Sequence, residues 1–334
     1  MPAVTGIPTT ILVAPDSFKG TFSALEVTAA IARGLESAGR PVDPCPVADG
    51  GEGTLEVLVG ALGGEILTAH VEDPLGRTIE ARFALLDGGG GGGAVVETAR
   101  ASGLALVADA ERDPLAASTR GTGELILAAV EAGADTVLVG VGGSATTDGG
   151  AGAIAAIREA GGLGRARLTV LCDVQTPFED AARIYAPQKG ADPDTVRRLS
   201  RRLRDHARRL PREPRGVPMT GAAGGLSGGL WAAFGAELVP GAAFILDALG
   251  FDPRMRAARA VVTGEGRLDR QSLAGKAVSE VATRARQAGV PCHAIVGERR
   301  LDAFGARILD LQAVLEAGTL EEIEAAGVEL AALI

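Results

Sequence analysis

Twice within its first 64 residues this chain runs from an apolar segment through a polar, glycine-containing turn into a stretch of helical period. Residues 10–15 are the first apolar run and end in Asp16-Ser17-Phe18-Lys19-Gly20; Ser23 and Glu26 then have capping-box spacing, and Val27, Ile31 and Leu35 recur every four residues. Residues 42–48 are the second run and end in Asp49-Gly50-Gly51-Glu52-Gly53-Thr54, followed by Leu55, Leu58, Val59 and Leu62 on one helical face and by Gly63-Gly64 as a stop. Strand, glycine turn and helix in succession is the pattern of a doubly wound α/β sheet.

The pattern then changes. Residues 66–71, 78–86 and 94–98 read as strands joined by Asp73-Pro74-Leu75-Gly76 and by the six glycines 88–93, a flexible hairpin loop, with no helix between them. Turn-linked strands of this kind predict antiparallel pairing and a different domain. A helix near 124–132, a strand at 136–141, the segment Gly142-Gly143-Ser144-Ala145-Thr146-Thr147-Asp148-Gly149-Gly150, a strand at 168–172 that delivers Asp173, and a glycine-rich loop at 221–229 follow. The strand–turn–helix pattern returns at residues 260–263, with Gly264-Glu265-Gly266-Arg267-Leu268-Asp269 as its turn, a helix after Lys276 and strands at 293–296 and 311–315. The expectation is an α/β domain built from residues 1–65 and 256–334, interrupted by an inserted α/β domain with a mixed sheet over residues 66–255.

Composition removes several classes of function. A net charge of −9 disfavours a general nucleic-acid binder, because phosphate affinity needs positive charge. The longest strongly apolar stretches stay below ten residues, against the roughly 20 that span a bilayer. No charged segment followed by an apolar one opens the chain, so no signal peptide is expected. Cys45, Cys172 and Cys292 are scattered, with neither metal-ligand spacing nor a disulfide framework, which fits a reducing cytoplasm.

The basic residues are more telling. Of the 33, 30 are Arg; Lys occurs only at Lys19, Lys189 and Lys276, each beside a glycine. A compact ammonium and a planar guanidinium are not interchangeable at a phosphate. Seven of the arginines (Arg197, Arg198, Arg201, Arg202, Arg204, Arg208 and Arg209) fall on the polar faces of a helix opened by Asp192-Pro193, and with no aromatic residues among them they read as a solvated surface. Asp16, Asp49, Asp173 and Glu265 each follow an apolar run by no more than two residues. In open α/β sheets ligands bind at the carboxyl ends of the strands. Acids, glycines and lysines gathered there suit phosphate and metal: glycine admits backbone N–H groups to an anion, lysine neutralises charge, and carboxylates hold Mg²⁺ or accept a hydroxyl proton. The Walker sequence and the dinucleotide glycine fingerprint are absent, and Ser144 lacks an arguable His–Asp partner for hydrolysis.

Taken in order, these segments resemble the bacterial glycerate kinase family, whose members pair a flavodoxin-like with a restriction-endonuclease-like domain. The resemblance rests on residues 14–20, 48–54, 73–77, 119–124, 142–150, 172–174, 187–191, 221–225 and 263–276. It implies ATP-dependent phosphorylation of D-glycerate with Mg²⁺, the 2-phosphate being favoured over the 3-phosphate. It also implies a site between the domains. The catalytic residues expected are Asp16, Lys19, Asp49, Asp173 and Lys189. Nucleotide or substrate would be bound by Ser17, Gly50, Gly51, Glu52, Gly142, Gly143, Ser144, Asp148, Gln188, Gly264, Glu265, Asp269 and Lys276, and Mg²⁺ by Asp16, Asp49 and Glu265. Asp16 and Asp49 are expected on one side of the site, Asp173 and Glu265 on the other.

The chain departs from the family pattern in places. Thr147 stands where the family usually has Asn, residues 152–168 form a shortened segment, and the part after Val296 is abbreviated. The rival reading these departures motivate is a catalytically impaired relative that binds glycerate or nucleotide and regulates.

Overall fold

The computed structural model describes residues 9–87, 92–273 and 275–334, so four of the six consecutive glycines, 88–91, lie outside the described residues. Two compact units emerge: Met1–Asp49 with Ala242–Ile334, and Gly50–Gly241. Along the chain the strands are β1 (Ile11–Pro15), β2 (Val42–Pro44), β3 (Gly64–Glu72), β4 (Thr78–Leu86), β5 (Gly92–Glu97), β6 (Ala134–Gly140), β7 (Arg167–Leu171), β8 (Glu237–Val239), β9 (Ala260–Leu268), β10 (Cys292–Arg299) and β11 (Leu311–Glu316). No helix among the described residues is long and apolar enough to cross a membrane.

The first unit is an all-parallel five-stranded sheet in the order β11-β10-β9-β1-β2. Counted within the unit this is 2-1-3-4-5, the flavodoxin-like doubly wound order, whose direction reverses between the first and third strands. Here the reversal lies between β1 and β9, paired from Ile11–Ala260 to Pro15–Gly264. The helix Ala24–Ser37 starts as its sequence predicts: Ser23 and Glu26 form both bonds of the capping box. It packs on the helix Leu320–Ala331, itself capped by Thr319 and Glu322, and glycine makes the approach possible. A Cβ on Gly34 would lie 2.1 Å from the Glu324 carbonyl oxygen. Ile11, Val13, Val27, Ile31, Leu35, Val262, Ile295, Ile323 and Leu330 make up the core between sheet and helices.

The second unit is a six-stranded sheet in the order β3-β4-β5-β6-β7-β8, antiparallel from β3 to β5 and parallel from β5 to β8. The helix Thr54–Leu62 packs against β3, β4 and β5, so this unit begins ahead of the change of pattern at Gly64. On the helix Pro193–Ala207 the apolar stripe Leu199, Leu203 and Ala207 is buried around Phe178, while the seven arginines predicted to be solvated are exposed.

Three local expectations are corrected. The strand expected over residues 42–48 is regular only to Pro44, because Pro44 and Pro46 offer no N–H; Cys45 and Val47 still donate to the Val13 and Pro15 carbonyls. The segment 264–269 is not a turn: β9 runs through Gly264, Glu265 and Gly266 to Leu268, paired on one side with β10 to Arg299. The glycine-rich stretch at 221–229 is non-helical only at its start, where Ala223, Gly224 and Gly225 adopt φ of 50°, 65° and 91°; beyond this kink it is helix as far as Phe234. Gly224 must be glycine, since a Cβ there would lie 2.1 Å from the Thr146 carbonyl oxygen.

Candidate active site

In the first unit the candidate side chains gather at the carboxyl ends of β1 and β9, at the switch point of the sheet. Asp16 follows β1 directly. Its N–H donates to the Gly264 carbonyl at 2.8 Å, and its Oδ1 accepts from the Ser17 N–H at 2.6 Å. Phe18 is buried and anchors the next turn, which presents Lys19 to solvent with its Nζ 2.8 Å from Asp49 Oδ2. Gly266 admits this turn: a Cβ there would sit 3.1 Å from the Phe18 Cα. Glu265 lies on β9, one residue beyond Gly264, and is only 7% exposed.

The electrostatics follow from crowding acids and one cation at the edge of a buried sheet. Asp16, 4% exposed, is pushed up to about 7, first by burial and then by the negative charges of Asp49 and, less strongly, Glu265, against the pull of Lys19 and the Ser17 N–H. Burial opposes the charge of Lys19, but Asp49 and Asp16 outweigh it and hold the ammonium above its ordinary value. Burial also raises Glu265, although Ser272, Lys276 and Lys19 each favour its ionised form; its Oε1 has no hydrogen-bond partner. Lys276 is the N-cap residue of the helix Ala277–Ala288. Asp269 accepts from the Gln271 N–H at 2.7 Å and so organises the turn Arg270–Leu273.

One expectation about the acids changes. Glu265 belongs with Asp16 and not with Asp173, because β9 pairs directly with β1 whereas Asp173 follows β7 of the other unit. Among the described residues no group of three or more His, Cys, Asp or Glu is arranged to hold an ion.

In the second unit the loop after β6 carries the other cluster. Gly140 and Gly142 are glycine because the Gly50–Gly51 backbone crosses them; a Cβ on either would fall 2.6 Å from it. Gly50 itself has φ of 82° and lies against Leu171, and Glu52 in the following turn is exposed. Gly143 has φ of 69° and precedes the buried Ser144. Asp148 is fully engaged within the protein: Oδ2 accepts from the Thr119 N–H and hydroxyl at 2.9 and 2.8 Å and from the Gly152 N–H at 3.0 Å, and Oδ1 accepts from the Gly150 N–H at 3.0 Å. It therefore ties the loop to the start of the helix Ala151–Glu159. Lys189, last residue of the turn Pro187–Lys189, is buried and donates from Nζ to Ser144 Oγ at 2.9 Å and to the Thr146 carbonyl at 2.5 Å. Its neighbour Gln188 is exposed, and Asp173 is half-buried two residues beyond β7.

A model of the glycerate kinase family matches residues 11–160 and 158–326. The chain belongs to the glycerate kinase family. The glycerate kinase of Halalkalibacterium halodurans is 41% identical, covering 86% of this chain and 85% of that protein. The glycerate 2-kinase of Escherichia coli is 37% identical, covering 93% and 92%. A crystal structure assigned as glycerate kinase 2 of Salmonella typhimurium superposes with a TM-score of 0.82 at 35% identity over 98% of each chain.

Sequence reasoning missed Thr119, whose hydroxyl and N–H secure Asp148, and Ser272, which favours the ionised form of Glu265. Thr119 lies within a recognised segment, but nothing in its sequence context names a partner 29 residues away. Thr147 is buried with an unpartnered hydroxyl.

Proposed function

We propose that this chain transfers the terminal phosphoryl group of MgATP to a hydroxyl of D-glycerate. The observation that carries the reading is Asp16, a carboxyl held near neutrality at the switch point of a parallel sheet beside an exposed, fully charged Lys19, in a chain of this family. A base with a pKa near the working pH is what removal of a hydroxyl proton needs. Asp16 accepts that proton as the hydroxyl oxygen attacks the γ-phosphorus. The bond to the bridging oxygen breaks and its electron pair leaves with ADP. Lys19 balances the negative charge on the transferring group, and Asp49 fixes its ammonium in place. Glu265 stands behind Asp16 and helps keep it basic. In the second unit the Ser144 hydroxyl is assigned to an anionic oxygen of a substrate, held by Lys189. The metal enters with ATP as part of the substrate.

The 2-phosphate is the product we favour, on the printed name of the Escherichia coli relative. Three buried, free cysteines support a reducing cytoplasm as the site of the activity. The test is ADP release in a coupled assay with D-glycerate and MgATP. ADP formation that requires both compounds is expected, and no ADP above background overturns the reading. Coupling the product directly to enolase separates the isomers, since only the 2-phosphate is its substrate.

A further inference from the structure

Lys189 is the most unusual cation in the molecule. Its side chain has only 3% exposure, yet no carboxylate among the described residues forms an ion pair with it. Its two acceptors, Ser144 Oγ and the Thr146 carbonyl, are neutral. The nearest acid, Asp148, acts on it only through space, because both Asp148 oxygens are taken by Thr119, Gly150 and Gly152. The hydroxyls of Thr146 and Thr147 in the same loop are buried without partners. A buried ammonium without a bonded counter-ion is costly, and its ordinary response is to lose its proton. Burial accordingly depresses Lys189 to about 7, with Asp148 opposing.

Ser144 connects this cation to the outside. It keeps 8% exposure, and because Lys189 donates to its oxygen, its own hydrogen is left to donate elsewhere. We propose that an anionic group of a substrate, carboxylate or phosphate, binds at the Ser144 hydroxyl as the missing counter-ion of Lys189, and that its binding is coupled to uptake of a proton by Lys189. The chain then runs from anion to Ser144 O–H and from Ser144 Oγ to the Lys189 ammonium. Each link is strengthened when the lysine is charged. The inference rests on the functional reading above but adds a linkage that reading does not require.

The other titratable and charged groups that face this region are few. His206, from the helix Pro193–Ala207, abuts Gly149 and is depressed mainly by burial, with Asp148 opposing. Arg112 packs against Gly190. The sign of the linkage is fixed by the lysine: above pH 7 the free protein carries it largely neutral, so anion binding must draw in a proton and weakens as pH rises. The apparent Kd increases by up to about tenfold per pH unit above 7 and is flat below about pH 6.

Isothermal titration at pH 8, in two buffers of different ionisation enthalpy, reads the proton count. D-glycerate alone is one arm and a non-hydrolysable ATP analogue with Mg²⁺ the other, so the arm showing the uptake identifies the anion as carboxylate or phosphate. Wild type is expected to take up between about half and one proton in one arm. Lys189→Met is expected to lose that uptake while His206→Gln keeps it, and Ser144→Ala is expected to reduce it and flatten the pH slope. Binding with no proton uptake, or uptake that survives in Lys189→Met, overturns the inference while leaving phosphoryl transfer untouched. Should Lys189→Met fail to fold, an unchanged uptake in Ser144→Ala overturns it instead. Failure of both probes to bind wild type overturns the functional reading and the inference together.

Discussion

Replacing Asp16 by Asn should make the protein more stable and much less active, and both effects follow from one number. Folding raises this carboxyl from 3.8 to about 7. At 1.36 kcal/mol per pKa unit, holding Asp16 ionised in the folded protein costs on the order of 4 kcal/mol relative to the unfolded chain. The sign follows from the raised value. Below about pH 4 the group is protonated in both states and there is no penalty; the penalty grows as pH rises and is complete above about 7. Asn cannot ionise, keeps an oxygen for the Ser17 N–H and nearly matches the volume. Its amide N–H₂ has to be accommodated where a carboxylate oxygen stood, which takes back about 1–3 kcal/mol. The net expectation for Asp16→Asn is a stabilisation of roughly 1–3 kcal/mol at pH 8 that turns into a destabilisation of about 1–3 kcal/mol by pH 4, where only the cost of the amide remains. Turnover falls by about 10²-fold or more, because the amide accepts no proton, while the nucleotide analogue still binds. Denaturant unfolding of both proteins at pH 4, 6 and 8, with turnover measured alongside, checks this. A stability difference that does not change with pH, or near wild-type kcat, would refute the reasoning and leave Asp16 as a turn residue shaping the loop that carries Lys19.

Lys19→Ala should lower kcat/KM by about 10²–10³-fold, as loss of a charge-stabilising donor does, whereas Arg201→Ala on the exposed arginine face should stay within about twofold; equal losses in a steady-state comparison would show the functional surface to be misplaced. Gly34→Ala should destabilise by about 1–3 kcal/mol or more in denaturant unfolding, because the added methyl meets the Glu324 carbonyl at 2.1 Å, and a neutral result would contradict the close helix pair. Gly224→Ala combines a positive φ with a contact of 2.1 Å to the Thr146 carbonyl, so soluble yield and Tm should both drop, and the Ser144 loop should lose activity before the rest unfolds.

The parts of the fold legible in the sequence are those set by local pattern. The capping box at Ser23 and Glu26, the apolar periodicity of the first helix and the acids at strand ends depend on residues within a turn of each other, and the structure forms that capping box as expected. The extent of β9 was not legible, because Gly264-Glu265-Gly266 has the composition of a turn and is held extended by β10, with β1 reaching only as far as Gly264. Residues 221–229 misled for a related reason: their glycines serve close packing against Phe178, Gly149 and the Thr146–Thr147 backbone, not flexibility. At the site, sequence marks Lys189 as unusual by its rarity but cannot reveal that its partners are a serine 45 residues away and a carbonyl. Likewise it cannot show that Asp148 spends both oxygens on the backbone and on Thr119.

Product analysis tests the central claim most directly. Purified protein is incubated with D-glycerate and MgATP, and the phosphorus spectrum is followed while ADP is quantified. The account predicts a phosphoglycerate resonance growing one-for-one with ADP, at the position of the 2-phosphate, and absent in Lys19→Ala. ADP formed without any phosphoglycerate, or no ADP while both substrates bind, would contradict it.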